Sequence, residues 1–157
     1  MIVARMRRNA AFTLVEIMIV VSIIALLAAL AIPAILRARQ QSQNARFINA
    51  LRVASDAIEL YAVENNAYPP DVNRGVVPPA LASYLDQTLN WTGATPIGGR
   101  WDWDFEASGV KAAISVVEAT ADVAQMTEID SKYDDGDLQA GRFQRISPNR
   151  YSGIIER

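Results

Sequence analysis

The feature that most constrains this chain is an uninterrupted apolar stretch near its amino terminus. Residues 12–36 read FTLVEIMIVVSIIALLAALAIPAIL, and Glu16 is their single charge. A bilayer core accommodates about 20 such residues in a helix, so the stretch is long enough to span a membrane. A carboxylate inside such a segment is costly and usually has a function. Glu16 is therefore the first candidate functional residue.

The composition limits the chemistry that the chain can perform. Its 157 residues include no cysteine and no histidine, which removes disulfides, thiol chemistry and the commonest general base. The net charge is −2, and setting aside the leader arginines Arg5, Arg7 and Arg8 leaves −5. A chain this acidic is a poor general binder of nucleic acid. We therefore expect neither an enzyme nor a nucleic-acid partner.

The residues that flank the apolar stretch leave two interpretations open. Basic residues 1–11 predict a cytoplasmic amino terminus, although Arg37 and Arg39 at the far end weaken the asymmetry. The stretch can be an uncut membrane anchor. It can also be a secretory signal peptide, because Ala29-Leu30-Ala31 has the small-x-small form that a signal peptidase requires. The length of the run and Glu16 argue against a signal peptide.

A third interpretation depends on the six residues Ala11-Phe12-Thr13-Leu14-Val15-Glu16. They closely resemble the processing site of type IV pilins and type II secretion pseudopilins. The resemblance implies that a prepilin peptidase cuts between Ala11 and Phe12, and that the new amine of Phe12 is methylated. The family usually has Gly before the cut, where this chain has Ala11. The likeness extends to Pro33, which lies where many members break or kink the helix.

The resemblance also implies the fold and the domain organisation. The fold class is α+β, with a long amino-terminal helix packed on a small antiparallel sheet of about four strands. Residues 1–11 form the leader, residues 12–36 the transmembrane or filament-core helix, and residues 37–65 the amphipathic second half of the same helix. Residues 66–157 form a carboxy-terminal globular domain. The subunit would span the bacterial inner membrane once, with its soluble domain in the periplasm, before it joins a filament.

Partners and a role for Glu16 follow from the same resemblance. The implied partners are copies of the chain, other pilins or pseudopilins, the prepilin peptidase, the inner-membrane assembly platform and membrane lipid. In a filament, Glu16 would pair with the Phe12 amine of a neighbouring subunit, which offsets the cost of placing a carboxylate in an apolar bundle. The plainer alternative is an interfacial Glu16 that reaches the lipid headgroups.

The pattern of apolar residues predicts a helix that continues to about residue 65. Residues 37–64 contain no Gly or Pro, and Pro69 and Pro70 follow. Pro33 lacks a backbone donor and clashes with the preceding turn, so we expect a kink or a melted turn over residues 29–33. Apolar residues recur at three- and four-residue spacing at Phe47, Leu51, Ala54, Ile58 and Tyr61.

The remainder of the chain favours two hairpins and a helix. Residues 100–105 alternate polar and aromatic side chains, which predicts a strand with Trp101 and Trp103 in the core. The returning strand spans residues 110–117, a helix follows at 120–132, and two short strands cover 142–146 and 151–155, of which the terminal one closes the sheet. We expect the four carboxy-terminal arginines to form a solvated face, at positions Arg142, Arg145, Arg150 and Arg157.

An acidic segment is a candidate calcium site. Calcium prefers several hard oxygens in a flexible loop, and some type II major pseudopilins carry calcium in a carboxy-terminal loop. The spacing is not that of an EF-hand, and Asp and Gly are equally favoured in plain turns, so both interpretations stay open. No other cofactor is expected. The four carboxylates are Asp130, Asp134, Asp135 and Asp137.

Taken together, these features indicate a structural subunit of a type II secretion pseudopilus or a type IV pilus. The absence of cysteine favours the pseudopilus, because many adhesive pilins close a loop with a disulfide. The alternative is a membrane-anchored periplasmic domain with an adhesive, nucleic-acid-binding or enzymatic role. No convergent set of Ser, Lys and carboxylate residues supports the enzymatic version.

Overall fold

The computed structural model describes residues 13–85 and 89–157. It contains α1 (Leu14–Asn65), a short 3₁₀ turn (Pro79–Leu81), β1 (Arg100–Ala107), β2 (Val110–Val117), α2 (Val123–Tyr133), β3 (Phe143–Ser147) and β4 (Arg150–Glu156). The chain divides into two compact units between Gln40 and Gln41. The predicted α+β class with four antiparallel strands is confirmed.

Helix α1 begins and ends at local signals in the sequence. The Thr13 hydroxyl accepts a hydrogen bond from the Glu16 backbone N–H at 3.2 Å, which satisfies one of the free donors of the first turn. Asn66 then adopts a left-handed conformation with φ 56°, and such a residue stops a helix. The helix is continuous through Pro33. The structure therefore has no melted turn over residues 29–33, and the kink at Pro33 stays a prediction.

The sheet has the strand order β1-β2-β4-β3, and every neighbouring pair is antiparallel. Strands β1 and β2 are joined by Ser108 and Gly109, which both have positive φ, 55° and 80°. Two such residues fit the tight turn that matches the twist of a hairpin. The terminal strand β4 lies between β2 and β3. Our expectation that it closes the sheet is wrong, because β3 forms the edge.

The core of the second unit lies between α1 and one face of the sheet. The Phe47 ring stacks on Trp101 with centroids 5.2 Å apart, and Trp91 stacks on the same indole at 6.0 Å. Trp91, Trp101 and Trp103 are each 1% exposed, so the core assignment for the aromatic strand is confirmed. A side chain at Gly153 would press against Leu51, so glycine lets the helix approach β4 closely.

The other face of the sheet carries a buried ion-pair network. Arg150 donates to Asp102 at 2.7 Å and to Asp104 at 2.5 Å, and the Ser115 hydroxyl donates to Asp104. Both aspartates are buried, and burial raises the pKa of Asp102 despite its bond to Arg150. The prediction of a solvated Arg150 is therefore wrong, because strand pairing brings Arg150 across two carboxylates.

Loops cover both edges of this sheet. At the β1 edge, Gly75 donates its N–H to the Trp101 carbonyl at 2.8 Å, and the Asp71 carboxylate accepts from the Phe105 N–H at 3.2 Å. At the β3 edge, the Arg145 N–H donates to the Leu138 carbonyl at 2.8 Å. These three backbone groups, which could otherwise pair with another strand, are thus used within the chain.

Candidate functional site

The amino-terminal candidate residues fall at the limit of the described structure. Ala11 and Phe12, the predicted processing residues, lie outside the described residues. Glu16 lies in the first turn of α1 and is exposed. A carboxylate is favourable there, because the free N–H groups give a helix amino terminus a partial positive charge.

The first part of α1 presents an apolar surface that its own unit does not bury. Large apolar side chains from Leu14 to Leu36 are about half exposed or more, for example Leu14 at 75% and Leu30 at 73%. Within residues 13–85 and 89–157, α1 is the one helix long and apolar enough to cross a membrane. A surface of this kind requires lipid or other helices to cover it.

The acidic segment forms a cluster at the end of α2. Carboxylate oxygens of Asp130, Asp134 and Asp135 lie within 4.8 Å of one another. Asp137 is not among them: its carboxylate accepts the Gln139 N–H at 3.0 Å, as in a plain turn. The structure thus brings three of the four predicted ligands together and gives the fourth a backbone role.

Asp130 differs from its neighbours in its surroundings. It is 0% exposed, and neither carboxylate oxygen has a hydrogen-bond partner of good geometry in the described part of the chain. Burial, together with the charges of Asp135, Asp134 and Asp137, raises the pKa of Asp130 to about 6, and the nearby Gly136 N–H lowers it by less. Buried polar groups are nearly always paired. The described part of the chain supplies no such partner for the Asp130 carboxylate, which is therefore available to a ligand.

The cluster has the donor chemistry for a hard divalent cation. It offers only carboxylate oxygens, the ligands that calcium and magnesium prefer. Two of the six oxygens already accept backbone hydrogen bonds: Asp134 from Arg142 and Asp135 from Asp137. The remaining oxygens can serve a cation, with carbonyls and water completing the six to eight ligands of calcium. The residues therefore fit calcium.

The special position of Asp130 was visible in the spacing of α2, although the sequence interpretation missed it. Met126, Ile129 and Tyr133 recur at three- and four-residue intervals. Asp130 lies four residues after Met126, so it falls on the same apolar face. A charged residue at such a position is buried unless the helix rotates, and this signal separates Asp130 from the exposed Asp134 and Asp135.

Comparisons with known proteins agree with both the amino-terminal motif and the fold. The family described as "Prokaryotic N-terminal methylation motif" matches residues 6–32. The chain is 29% identical over 87 residues to the type II secretion system core protein G of Aeromonas hydrophila, which covers 51% of this chain and 61% of that protein. It is 27% identical over 128 residues to the type II secretion system core protein G of Escherichia coli, and the alignment covers 76% of this chain and 86% of that protein.

A solved structure supports the same assignment at the level of the fold. The major type IV pilin PilA1 from Clostridium difficile superposes with a TM-score of 0.53 over 75% of this chain and 97% of that chain, at 15% identity. In its amino-terminal motif and its fold, the chain resembles the type IV pilins and type II secretion pseudopilins. A further protein with a similar sequence is the type IV wide pilus major component PilA4 of Thermus thermophilus, 41% identical over 63 residues.

These similarities support a pilin-like structural subunit with an apolar amino-terminal helix. The alignment with the PilA4 relative covers 40% of this chain and 48% of that protein. The chain therefore spans less than two thirds of the length of PilA4 and of the Aeromonas core protein G.

Proposed function

We propose that the chain is a precursor that is cut between Ala11 and Phe12, methylated at Phe12 and polymerised through its apolar helix. The observation that carries this proposal is the methylation motif matched over residues 6–32, which runs directly into the exposed apolar surface of α1. Removing the basic leader leaves an apolar helix that other copies can pack against. The chain itself performs no chemistry in this process.

Glu16 has a defined task in such an assembly. It lies exposed in the first turn of α1 and makes no salt bridge within the described residues. In an apolar bundle an unpaired carboxylate is strongly unfavourable, whereas a pair with an amine offsets the desolvation. The Phe12 amine of a neighbouring subunit supplies that charge and sets the axial register between subunits.

The assembly is a type II secretion pseudopilus or a type IV pilus. Two of the three curated relatives described above are type II secretion core proteins, and the chain has no cysteine. Both observations favour the pseudopilus. The precursor is held in the inner membrane with Gln41–Arg157 in the periplasm. Its partners are the prepilin peptidase, the assembly platform, membrane lipid, and other pilins or pseudopilins including its own copies.

The first test is the mass of the amino-terminal peptide from a host with an active prepilin peptidase. We expect a chain that begins at methylated Phe12. A chain that begins at Ile32 would mean ordinary signal-peptide cleavage and would refute the proposal. If Met1 is retained, Ala11→Gly separates the causes: a cut variant shows that Ala11 slows the peptidase, and an uncut variant refutes processing.

A second test concerns Glu16 and uses the processed protein. Glu16→Ala is expected to insert into the membrane and to be cut normally, yet to form no filaments that can be sheared from cells. A matched control is Glu64→Ala, which removes an exposed carboxylate from the last turn of the same helix. Normal filaments from Glu16→Ala would remove the pairing role.

We also infer that Asp130, Asp134 and Asp135 hold a calcium ion in the folded subunit. The carrying observation is the fully buried Asp130 carboxylate without a good hydrogen-bond partner in the described chain, close to two exposed carboxylates. Calcium titration of the detergent-solubilised chain by calorimetry should show one site that Asp130→Asn abolishes. Asp137→Asn is the matched control and should bind normally. Equal binding by both variants would refute the site.

A further inference from the structure

A polar cavity lies on the surface of the unit formed by Gln41–Arg157, and it shares no lining residue with the acidic cluster. Its volume is about 300 Å³. One wall comes from α1, the other from Tyr133 at the end of α2 and from Arg142 just before β3. The lining residues from α1 are Arg52, Ser55, Asp56 and Glu59. The last three lie three, four and seven residues after Arg52, so all four share one face of the helix.

We propose that this cavity binds a carboxylate group. Two of its lining residues are arginines whose charges are only weakly engaged. Arg52 lies over the Tyr133 ring at 5.9 Å, and it has no salt-bridge partner within 4 Å among the described residues. Stacking uses the flat face of a guanidinium and leaves the N–H groups at its edge available to an acceptor.

Arg142 is similarly available. Its guanidinium lies 3.7 Å from the Glu59 carboxylate, and the two side chains are 59% and 51% exposed. That separation is longer than a hydrogen bond, and exposed pairs of this kind contribute little to stability. An incoming carboxylate can therefore take the place of Glu59 without a large loss.

Ser55 is a third observation that points to a ligand. The residue is 5% exposed, and its hydroxyl has no hydrogen-bond partner in the described chain. A helical serine commonly donates to the carbonyl four residues earlier, and a buried hydroxyl that pairs with nothing is rare. Ser55 lines the same cavity as the two arginines, so its hydroxyl is a donor at the cavity wall that the described chain leaves unused.

The charges around the cavity select the class of ligand. Two guanidinium groups can each donate in a fork to a planar carboxylate. Asp56 and Glu59 also line the cavity, and like charges at short range repel. A single negative charge is therefore tolerated better than the two charges of phosphate. The carboxylate can belong to a small acid or to an acidic side chain of a protein partner.

The test is a titration of the full-length, nitrogen-labelled chain in detergent micelles, followed by NMR. Sodium acetate represents a small acid, and the capped peptide Ala-Glu-Ala represents a protein side chain. Sodium chloride at equal ionic strength is the control. We expect saturable shifts at the Arg52 and Arg142 side-chain N–H groups and at the Ser55 backbone amide, with both probes. Tighter binding of the peptide would identify a protein partner, and tighter binding of acetate a small acid.

Variants make the test specific. Arg142→Gln should weaken binding about tenfold, since it removes a charge-assisted hydrogen bond. Arg52→Gln should do the same. Arg145→Gln is the matched control, because Arg145 stacks on Tyr151 and does not line the cavity. Shifts that rise linearly and match those from chloride would overturn the proposal, as would sodium phosphate binding more tightly than acetate.

Discussion

Asp130→Asn is expected to stabilise the metal-free protein at neutral pH. Asp130 is fully buried, and burial, together with the charges of the neighbouring aspartates, raises the pKa of its carboxyl from 3.8 to about 6 in the folded state. The folded protein therefore holds a proton on this group between about pH 4 and pH 6, where the unfolded chain has released it. It follows that the free energy of unfolding falls as pH rises through this window.

The size of this effect follows from the same two pKa values. The difference between 3.8 and about 6 corresponds to about 3 kcal/mol, at 1.36 kcal/mol per pH unit. Asparagine has nearly the same shape and no charge to bury, so it should recover most of that energy at pH 7. For a unit of somewhat more than 100 residues this is roughly 10 °C in Tm.

Tryptophan fluorescence is a suitable assay, because all three tryptophans are buried in the core beside α1. Thermal unfolding is followed in a calcium chelator at pH 4, 5, 6 and 7. Between pH 4 and pH 7, the Tm of the wild type should fall more, or rise less, than the Tm of Asp130→Asn, because only the wild type must ionise a buried carboxyl. Adding calcium at pH 7 should raise the Tm of the wild type only, since binding to the folded state stabilises it by mass action.

The reasoning would be refuted by an Asp130→Asn protein that is less stable than the wild type at pH 7 in chelator. Identical pH profiles for the two proteins would refute it equally. Asp137→Asn provides the control, because Asp137 is exposed and lies outside the cluster. Its Tm should stay close to the wild-type pH profile, because the Asp137 charge raises the pKa of Asp130 less than burial, Asp135 or Asp134 does, and it should keep the response to calcium.

Other substitutions test the packing of the second unit by chemical denaturation. Arg150→Met should lose about 3–5 kcal/mol because it leaves two buried carboxylates without a counter-charge. Arg145→Met removes a stack on Tyr151 and a long, exposed hydrogen bond to the Pro148 carbonyl, and should lose about 1 kcal/mol or less. In Gly109→Ala the new methyl group has open space, so the loss should be about 1 kcal/mol, due to the positive φ alone. In Gly99→Ala the methyl group would also clash with the backbone of Val117 and Ala119, and the loss should be on the order of 3 kcal/mol. Asp122→Ala removes the cap of α2 and should cost about 1 kcal/mol. Equal losses within the arginine pair or the glycine pair, or an unchanged midpoint for Asp122→Ala, would contradict these assignments.

Elements with a strong local pattern were predictable from the sequence. The end of α1 follows from Asn66 and the prolines after it, and the helix observed to Asn65 agrees with the predicted limit. The two hairpins were also placed within about two residues. Alternation in residues 100–105 identified Trp101 and Trp103 as core residues, because period-two spacing directly indicates which side chains share a face.

Features that depend on distant residues were not predictable. Arg150 meets Asp102 and Asp104 across 48 and 46 positions of sequence, and the pairing exists only because β4 lies beside β2. Nothing in the local sequence of β4 indicates that it lies inside the sheet, between β2 and β3, and not at the edge of the sheet. The acidic site shows both cases. The composition indicated a cluster of carboxylates. That Asp130 belongs to this cluster while Asp137 bonds to a turn depends on the orientation of α2 and on the turn that follows it.

The covered sheet edges have a consequence for the filament proposed above. A dense array of subunits brings identical sheets close together, the condition under which open strands add to one another and form amyloid-like aggregates. Here Asp71 and Gly75 cap one side and Leu138 the other. In the proposed filament, self-assembly would thereby be directed to the apolar helix, and a weakened cap, as in Asp71→Ala, should favour disordered precipitation over ordered fibres.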